Sequence, residues 1–376
     1  MDPREELKPE KHMGTHGEKP GICMIVQDPA VRGGIAAVTG GYYGSRLERD
    51  FEIRYVESYC DGSKYRKFIK AVRAYRSFRE LLRNERPDLV HVHSSFGASF
   101  FRKYPIIRMA HQAGIPVINH IHGSALEEFY LRAPAWKKHM VRKCYGWCDR
   151  LIALSDEWKE RLSVIVPPEK IEVLPNYSRI FPEMLSGENM EKRFANRQIL
   201  YLGRFDRLKG VSDIPAIAEQ VKKVFPDIRF VLGGTGETDP VTEEIARRSL
   251  VDTVLLPGWL LGDEKTKLLE ESTLFLLPSH MEAMPVSVLE AMGYALPVIS
   301  CDVGGIPKVV SDGINGRLYA PGDTDGMAEG IISYLSDRAA WEEAGRQSLG
   351  IAEKRFGFDT HIDRLEEIYR SVLRRD

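Results

Sequence analysis

Nowhere in the 376 residues does an apolar run approach the roughly eighteen positions that a membrane-crossing helix needs. Cysteine is scarce. The five present (Cys23, Cys60, Cys144, Cys148, Cys301) are odd in number and scattered, which argues against a disulfide framework and fits a reducing, cytoplasmic setting. Cys144 and Cys148 lie one helical turn apart and could be half a metal site, but no second cysteine pair exists, so they read as packing. Net charge is nearly absent too, at −1, so no whole-chain field argues for nucleic acid. The first twenty residues lack an apolar core; they read as a disordered tail, neither signal peptide nor anchor.

What is present is unevenly spread. Residues 1–185 carry 30 Lys and Arg against 23 Asp and Glu, whereas the remainder carries 23 against 31. A basic front joined to an acidic back suggests two domains meeting different partners, and the length suits two cores of similar size. Short apolar runs alternate with longer amphipathic ones, the pattern of parallel α/β architecture. In the first half, strands are predicted at 22–27, 53–58, 88–93, 116–122, 150–155 and 171–176, with helices including 64–86, 96–113, 135–148 and 155–163. The polar segment 178–197 breaks the rhythm and reads as the connection. It then restarts, with strands at 199–203, 228–234, 253–258, 273–279, 297–301 and 316–320. Helices are predicted near 211–225, 240–250, from about 285, and over 323–336 and 340–374. Two doubly wound domains in tandem place their ligand in the crevice outside the carboxyl ends of the strands.

Three stretches carry chemistry. "YLGRFDRLKG" (201–210) ends a strand and adds Arg204 and Lys209, an Arg fork and a Lys point charge suited to a diphosphate; taken alone, it reads equally as solvated loop charge. "GGTGE" (233–237) alone is no more than a turn signal. In "SHMEAMPVSVLEAMGYALPVIS" (279–300), Glu282 precedes a predicted helix that Pro285 would open, and Glu290 lies within it. The N–H groups of Ala283, Met284 and Val286 would point into the crevice. Glu282 could accept hydrogen bonds from sugar hydroxyls and Glu290 from a ribose. A solvated pair is the plainer alternative, but it leaves the apolar residues around both glutamates unexplained.

"GRFDRLKG", the E-x7-E spacing of "EAMPVSVLEAMGYALPVIS" and "GGIPKVVSDGINGRLYAPGD" (304–323) together resemble glycosyltransferase family 4 (glycosyl transferases group 1), the retaining nucleotide-sugar transferases with the GT-B fold. The front half is similar more loosely, through "RGGI" (32–35), "DLVHVH", "HIHGS" (120–124) and "VLPN" (173–176). The resemblance implies two Rossmann-like domains facing a cleft: a tail over 1–20, an acceptor-binding domain over 21–180, a nucleotide-sugar-binding domain over 181–355, and a last helix over 356–376 packing back on the front domain. It implies that Arg204 and Lys209 clamp the donor diphosphate. Glu282 would hold the sugar ring, beside the backbone of Ala283, Met284, Pro285 and Val286, and Glu290 the ribose. Gly33 and Gly34 would let backbone approach the diphosphate from the front domain, where His122 faces the sugar. No metal and no cofactor beyond the nucleoside diphosphate sugar is implied. Glu-Ala-Met-Pro replaces the common Glu-Gly-Phe-Pro, which alters the sugar pocket and leaves the donor open, with UDP-hexose favoured over GDP-mannose.

His91 and His93, and His120 and His122, alternate on neighbouring predicted strands. Four imidazoles could bind zinc, as in a metallohydrolase, but H-E-x-x-H is absent and no carboxylate lies within either pair, so polar or structural roles are favoured. The helix over 63–87 is strongly basic with an apolar face; it could pack on the sheet or lie on an anionic membrane. The sequence therefore points to a retaining hexosyltransferase using a nucleoside diphosphate sugar and a glycan or lipid-linked acceptor, as in cell-surface polysaccharide or lipopolysaccharide synthesis. It would be cytoplasmic, or peripheral on the inner face of the membrane, and nucleic acid is not expected. A nucleotide-sugar epimerase, a phosphorylase and the metallohydrolase are the alternatives.

Overall fold

The computed structural model describes residues 19–374, so all but the end of the segment read as a tail lies outside the described residues. Two six-stranded sheets account for the architecture, and every strand pairing in both, among the described residues, is parallel. The first contains β1 (Gly21–Val26), β2 (Glu52–Glu57), β3 (Leu89–Ser94), β4 (Val117–Ile121), β5 (Arg150–Ala153) and β6 (Ile171–Val173), in the order β2-β1-β3-β4-β5-β6. The second contains β7 (Gln198–Phe205), β8 (Arg229–Gly236), β9 (Val254–Gly258), β10 (Leu274–Leu277), β11 (Val298–Cys301) and β12 (Gly316–Tyr319), in the order β12-β11-β10-β7-β8-β9.

The central strands are almost wholly apolar because helices cover both faces: Ile22 to Val26 and Leu274 to Leu277 are completely or almost completely buried. Each sheet reverses its winding once, between β1 and β3 and between β7 and β10. At such a switch point the flanking connections leave on opposite faces and a crevice opens at the strand ends.

Three sequence expectations change. The segment 178–197 is not one connection: residues Pro182–Leu185 form a 3-10 turn and Gly187–Asn196 a helix that packs on the second sheet, where Arg193 Nε donates to Ser272 O at 3.0 Å. The chain crosses nearer Ser178, whose N–H bonds Phe356 O at 2.7 Å beside the return crossing at Gly357. The stretch predicted as one helix over 340–374 is two, Arg338–Phe356 and Phe358–Leu373, because Gly357 takes an extended conformation. The second of these packs on the first sheet, burying Ile362, Leu365, Ile368 and Tyr369 against Ile22, Met24, Leu89 and Ile118. Finally, a helix over Gly262–Glu271 has no counterpart in the sequence reading.

Candidate active site

The second sheet builds its half of the site at the β7/β10 switch point. After β7 the chain turns through Asp206, whose carboxylate accepts from the Lys209 N–H at 3.1 Å. Gly210 then takes φ 62°, and a Cβ there would stand 1.9 Å from Pro278 O. That close approach locks the β7 loop onto the β10 loop. His280 N–H to Leu208 O, 2.8 Å, adds to it.

The lock brings Lys209 and Glu282, 73 residues apart, into an ion pair of 2.6 Å. Ser279 Oγ donates to the same carboxylate oxygen at 2.9 Å. Glu282 is only 8% exposed, and a buried carboxylate of this kind requires such partners. Behind it lies Gly304, with φ 52°; a Cβ there would meet Glu282 O at 1.9 Å. Pro285 precedes the helix Val286–Gly293 and does not occupy its first position as predicted. Among the described residues, the N–H groups of Ala283, Met284 and Val286 have no hydrogen-bond partner, so the loop and helix start offer unspent donors.

Glu290 lies within that helix and pairs with Lys265 at 2.6 Å. Lys265 belongs to the helix that the sequence reading missed, and only recognition of that helix could have signalled it. Arg204 stands apart from both pairs. It is 65% exposed, with Asp206 at 3.8 Å, and borders a cleft of about 420 Å³. Arg32, Asp61 and Arg66 from the front domain and Arg204, Thr235 and Gly236 from the back line this cleft. Lys209, Glu282, Glu290 and His122 lie outside its lining.

The first sheet contributes its own switch point. Gly33 precedes the helix Gly34–Gly40, and a Cβ on Gly34 would touch Val286 Cγ2 at 3.7 Å, so the two helix starts meet across the domain boundary. Asn176, after β6, makes a second bridge: its Nδ2 donates to Met284 O at 3.0 Å and its N–H to Met284 Sδ at 3.3 Å. Asn176 closes the "VLPN" stretch, where residue type alone assigns it no role. His122 is half-buried beside the Asn176 side chain, so it stands one side chain away from the loop carrying Glu282.

The other three strand histidines are buried. His91 Nδ1 meets Tyr369 OH at 2.7 Å, and His93 Nδ1 meets His122 Nε2 at 3.0 Å. Burial pushes the His91 and His122 pKa values down to about 3 and those of His93 and His120 well below the usual imidazole range, with neighbouring histidines adding to the effect. All four rings are therefore neutral at pH 7. His91, His93 and His120 hold ligand-capable nitrogens within 4.8 Å of one another. Within this group His91 and His120 are nearly parallel, at 8°, while His93 is tilted by 42° and 37° to them; His122 stacks on His120 at 28°. No carboxylate joins the group among the described residues.

Two family models divide the chain as the two sheets do: Glycosyltransferase Family 4 matches residues 37–177, and Glycosyl transferases group 1 matches residues 188–348. The chain belongs to glycosyltransferase family 4. It is similar to the glycogen synthase of Mycobacterium tuberculosis, 24% identical over 78% of this chain and 70% of that protein. It is 27% identical to the UDP-Gal:alpha-D-GlcNAc-diphosphoundecaprenol alpha-1,3-galactosyltransferase of Escherichia coli, over 81% of each. Among solved structures, Anabaena HepE in complex with UDP-glucose superimposes with a TM-score of 0.70 at 18% identity, over 93% of this chain and 99% of that one. The chain shares the two-domain α/β fold of HepE, and its family membership makes it a glycosyltransferase.

Proposed function

We propose that this glycosyltransferase moves a hexose from UDP-hexose to a glycan or lipid-linked acceptor with retention at the anomeric carbon. The reading places the reaction at the cytoplasmic face of the membrane, in the building of a cell-surface polysaccharide or lipopolysaccharide. The Lys209–Glu282 pair at the β7/β10 switch point, beside the unpartnered N–H groups of Ala283, Met284 and Val286, carries it. An arriving diphosphate offers Lys209 a stronger anion than one carboxylate. Glu282 is then released to accept hydrogen bonds from the sugar hydroxyls. UDP is favoured because the E. coli relative uses UDP-Gal and HepE holds UDP-glucose.

In this reading the bond from the sugar C1 to the diphosphate oxygen breaks as the acceptor oxygen bonds C1 on the same face. The acceptor's proton passes to the departing phosphate. Arg204, Lys209 and the N–H groups hold the charge that develops, so the reading needs no metal and no cofactor besides the donor. Glu290 takes the ribose hydroxyls, and Gly33 and Gly34 let the front domain's backbone close on the diphosphate. Neutral His122 orients the sugar and neither attacks it nor supplies a proton.

Lys209→Ala and Glu282→Ala are expected to lower kcat at least about a hundredfold, the usual scale for loss of a charge-stabilising group, with the fold retained by circular dichroism; Lys209→Ala, which strips a buried carboxylate of its partner, should also melt lower. Product NMR should show the donor's anomeric configuration. Near-normal turnover in either folded variant would refute the roles given to Lys209 and Glu282, and conversion of the donor sugar in the absence of acceptor would favour the epimerase.

A further inference from the structure

The long helix Lys64–Asn84 has two faces of opposite character. Ala71, Ala74, Phe78 and Leu81 are buried against the domain. On the opposite side, positions 65, 68, 76, 79 and 83 fall within one stripe at helical spacing. There Tyr65 is 74% and Phe68 66% exposed, and Arg76, Arg79 and Arg83 follow along the same line. None of these three arginines has an ion-pair partner among the described residues. The helix as a whole carries eight Lys and Arg against a single acid, and among the described residues only Lys70, held by Asp28 and Glu57, is neutralised by an ion pair.

Neighbouring segments extend the aromatic end. The helix after β3, Ala98–Gln112, packs beside this one, and the helix Ala135–Gly146 after β4 packs beside that in turn. They expose Phe101 (46%) and Trp136 (65%). Lys67 and Arg102, from two of these helices, flank the same Tyr59 ring, and Phe101 packs edge-on against Phe129 under Lys137. Large exposed aromatics interleaved with unpaired cations are the composition that settles at a bilayer interface: rings at headgroup depth, cations on anionic lipid. The same first turn also carries Arg66, which lines the interdomain cleft with Arg32 and Arg204.

We infer that the Tyr65–Arg83 stripe, extended by Phe101 and Trp136, docks the front domain on an anionic lipid bilayer and so holds the cleft mouth at headgroup height, where an acceptor anchored in that bilayer would arrive. The inference deepens the lipid-linked reading of the acceptor given above. Nucleic acid would account for the arginines but not for rings left exposed at the helix start. The helix, about 30 Å long by its rise, gives the domain a defined posture on the surface.

Flotation of the full chain with vesicles tests this directly. It should rise with phosphatidylglycerol–phosphatidylcholine vesicles and stay down with phosphatidylcholine alone, and raised salt should release it. Arg76→Gln/Arg79→Gln/Arg83→Gln should weaken binding about a hundredfold, since each cation near an anionic surface contributes roughly a factor of five. Tyr65→Ala/Phe68→Ala should also abolish flotation. Both variants alter exposed helix positions with good helix formers, so melting and the thermal shift produced by UDP should match the parent. Equal partition to neutral vesicles, no flotation at all, or flotation indifferent to both variants would overturn the inference. So would a dimer in sedimentation velocity that Tyr65→Ala/Phe68→Ala disperses. A parent chain that floats but shows no UDP shift would count against the transfer reading and leave the docking surface standing.

Discussion

Lys209 and Glu282 satisfy each other in the free chain, and so do Lys265 and Glu290. Each pair holds a carboxylate aimed at the crevice. The two pairs differ in what a donor would gain from them. In the proposed site Glu282 grips the transferred sugar, whereas Glu290 grips only the ribose, which does not change in the reaction. Uniform binding of that kind lowers KM without raising kcat. Glu290→Ala is accordingly expected to raise the donor KM by about ten- to a hundredfold, the scale of charge-assisted hydrogen bonds, with kcat nearly unchanged. A fall in kcat at unaltered KM in steady-state assays would contradict the ribose role. The stacked histidines make a different prediction. In the unfolded chain they take up protons near pH 6.5, but in the folded chain only at about 4 for His361 and about 3 for His91 and His122. Their contribution to stability is thus intact above about pH 6.5 and ebbs as the pH falls toward 4. The urea midpoint should decline from pH 7 to pH 5, before most carboxylates titrate, and His120→Leu should flatten that decline. A midpoint constant across this interval would show that the cluster is not a proton-linked load on the fold.

At the level of elements, the loop 279–285 is held from two sides, by Gly304 and Gly305, whose added Cβ atoms would meet the Glu282 and Ala283 carbonyls, and by the Asn176 side chain. Gly304 passes against Glu282 O, and Asn176 reaches from the other domain to Met284 O. Gly304→Ala would place a methyl group on that carbonyl at a positive φ and should cost about 1–3 kcal/mol, while displacing Glu282 and reducing transfer more than the stability loss explains. Calorimetry paired with a transfer assay decides it: a variant that melts normally and turns over normally would refute the close packing. Such elements were unevenly legible in the sequence. The strand runs stood out because strands buried on both faces read as unbroken Val, Ile and Leu, as in "LFLL" or "ICMIV". The helix Gly262–Glu271 did not, since "GDEKTKLLEE" shows only a fragmentary apolar stripe and buries only Leu269 completely. Gly357 hid a helix break inside an otherwise periodic stretch. Glu282, Lys209, Arg204 and Glu290 could be singled out by residue type and motif. Their pairing, and the roles of Lys265 and Asn176, depend on loops brought together from distant parts of the chain, and local pattern carries no record of that.

At the scale of the molecule, the chain crosses between its two sheets twice, at Ser178 and Gly357, and the crossings lie side by side in a single β-bridge. Two adjacent strands of backbone form a natural axis for rotation, and Gly34 against Val286 is the contact that such a rotation would tighten or open. Saturation with UDP-hexose should therefore decrease the radius of gyration measured by X-ray scattering, and Gly34→Trp should block both that contraction and turnover while leaving each sheet folded by circular dichroism. An unchanged scattering curve with bound donor would exclude closure about this axis.

The return crossing also governs the order in which the protein can be made. Residues Ile362, Leu365, Ile368 and Tyr369 complete an apolar layer whose other side is formed by β1, β3 and β4, and Tyr369 supplies the partner of His91. In synthesis, the strands of the first sheet precede the helix Phe358–Leu373 by the whole second sheet, and part of their apolar face stays uncovered until that helix emerges. The second sheet, finished earlier within its own stretch of chain, can mature ahead of the one that precedes it. The nascent enzyme therefore closes back to front, and a release stalled before residue 358 would hand the quality-control machinery a finished rear half and an unsealed front.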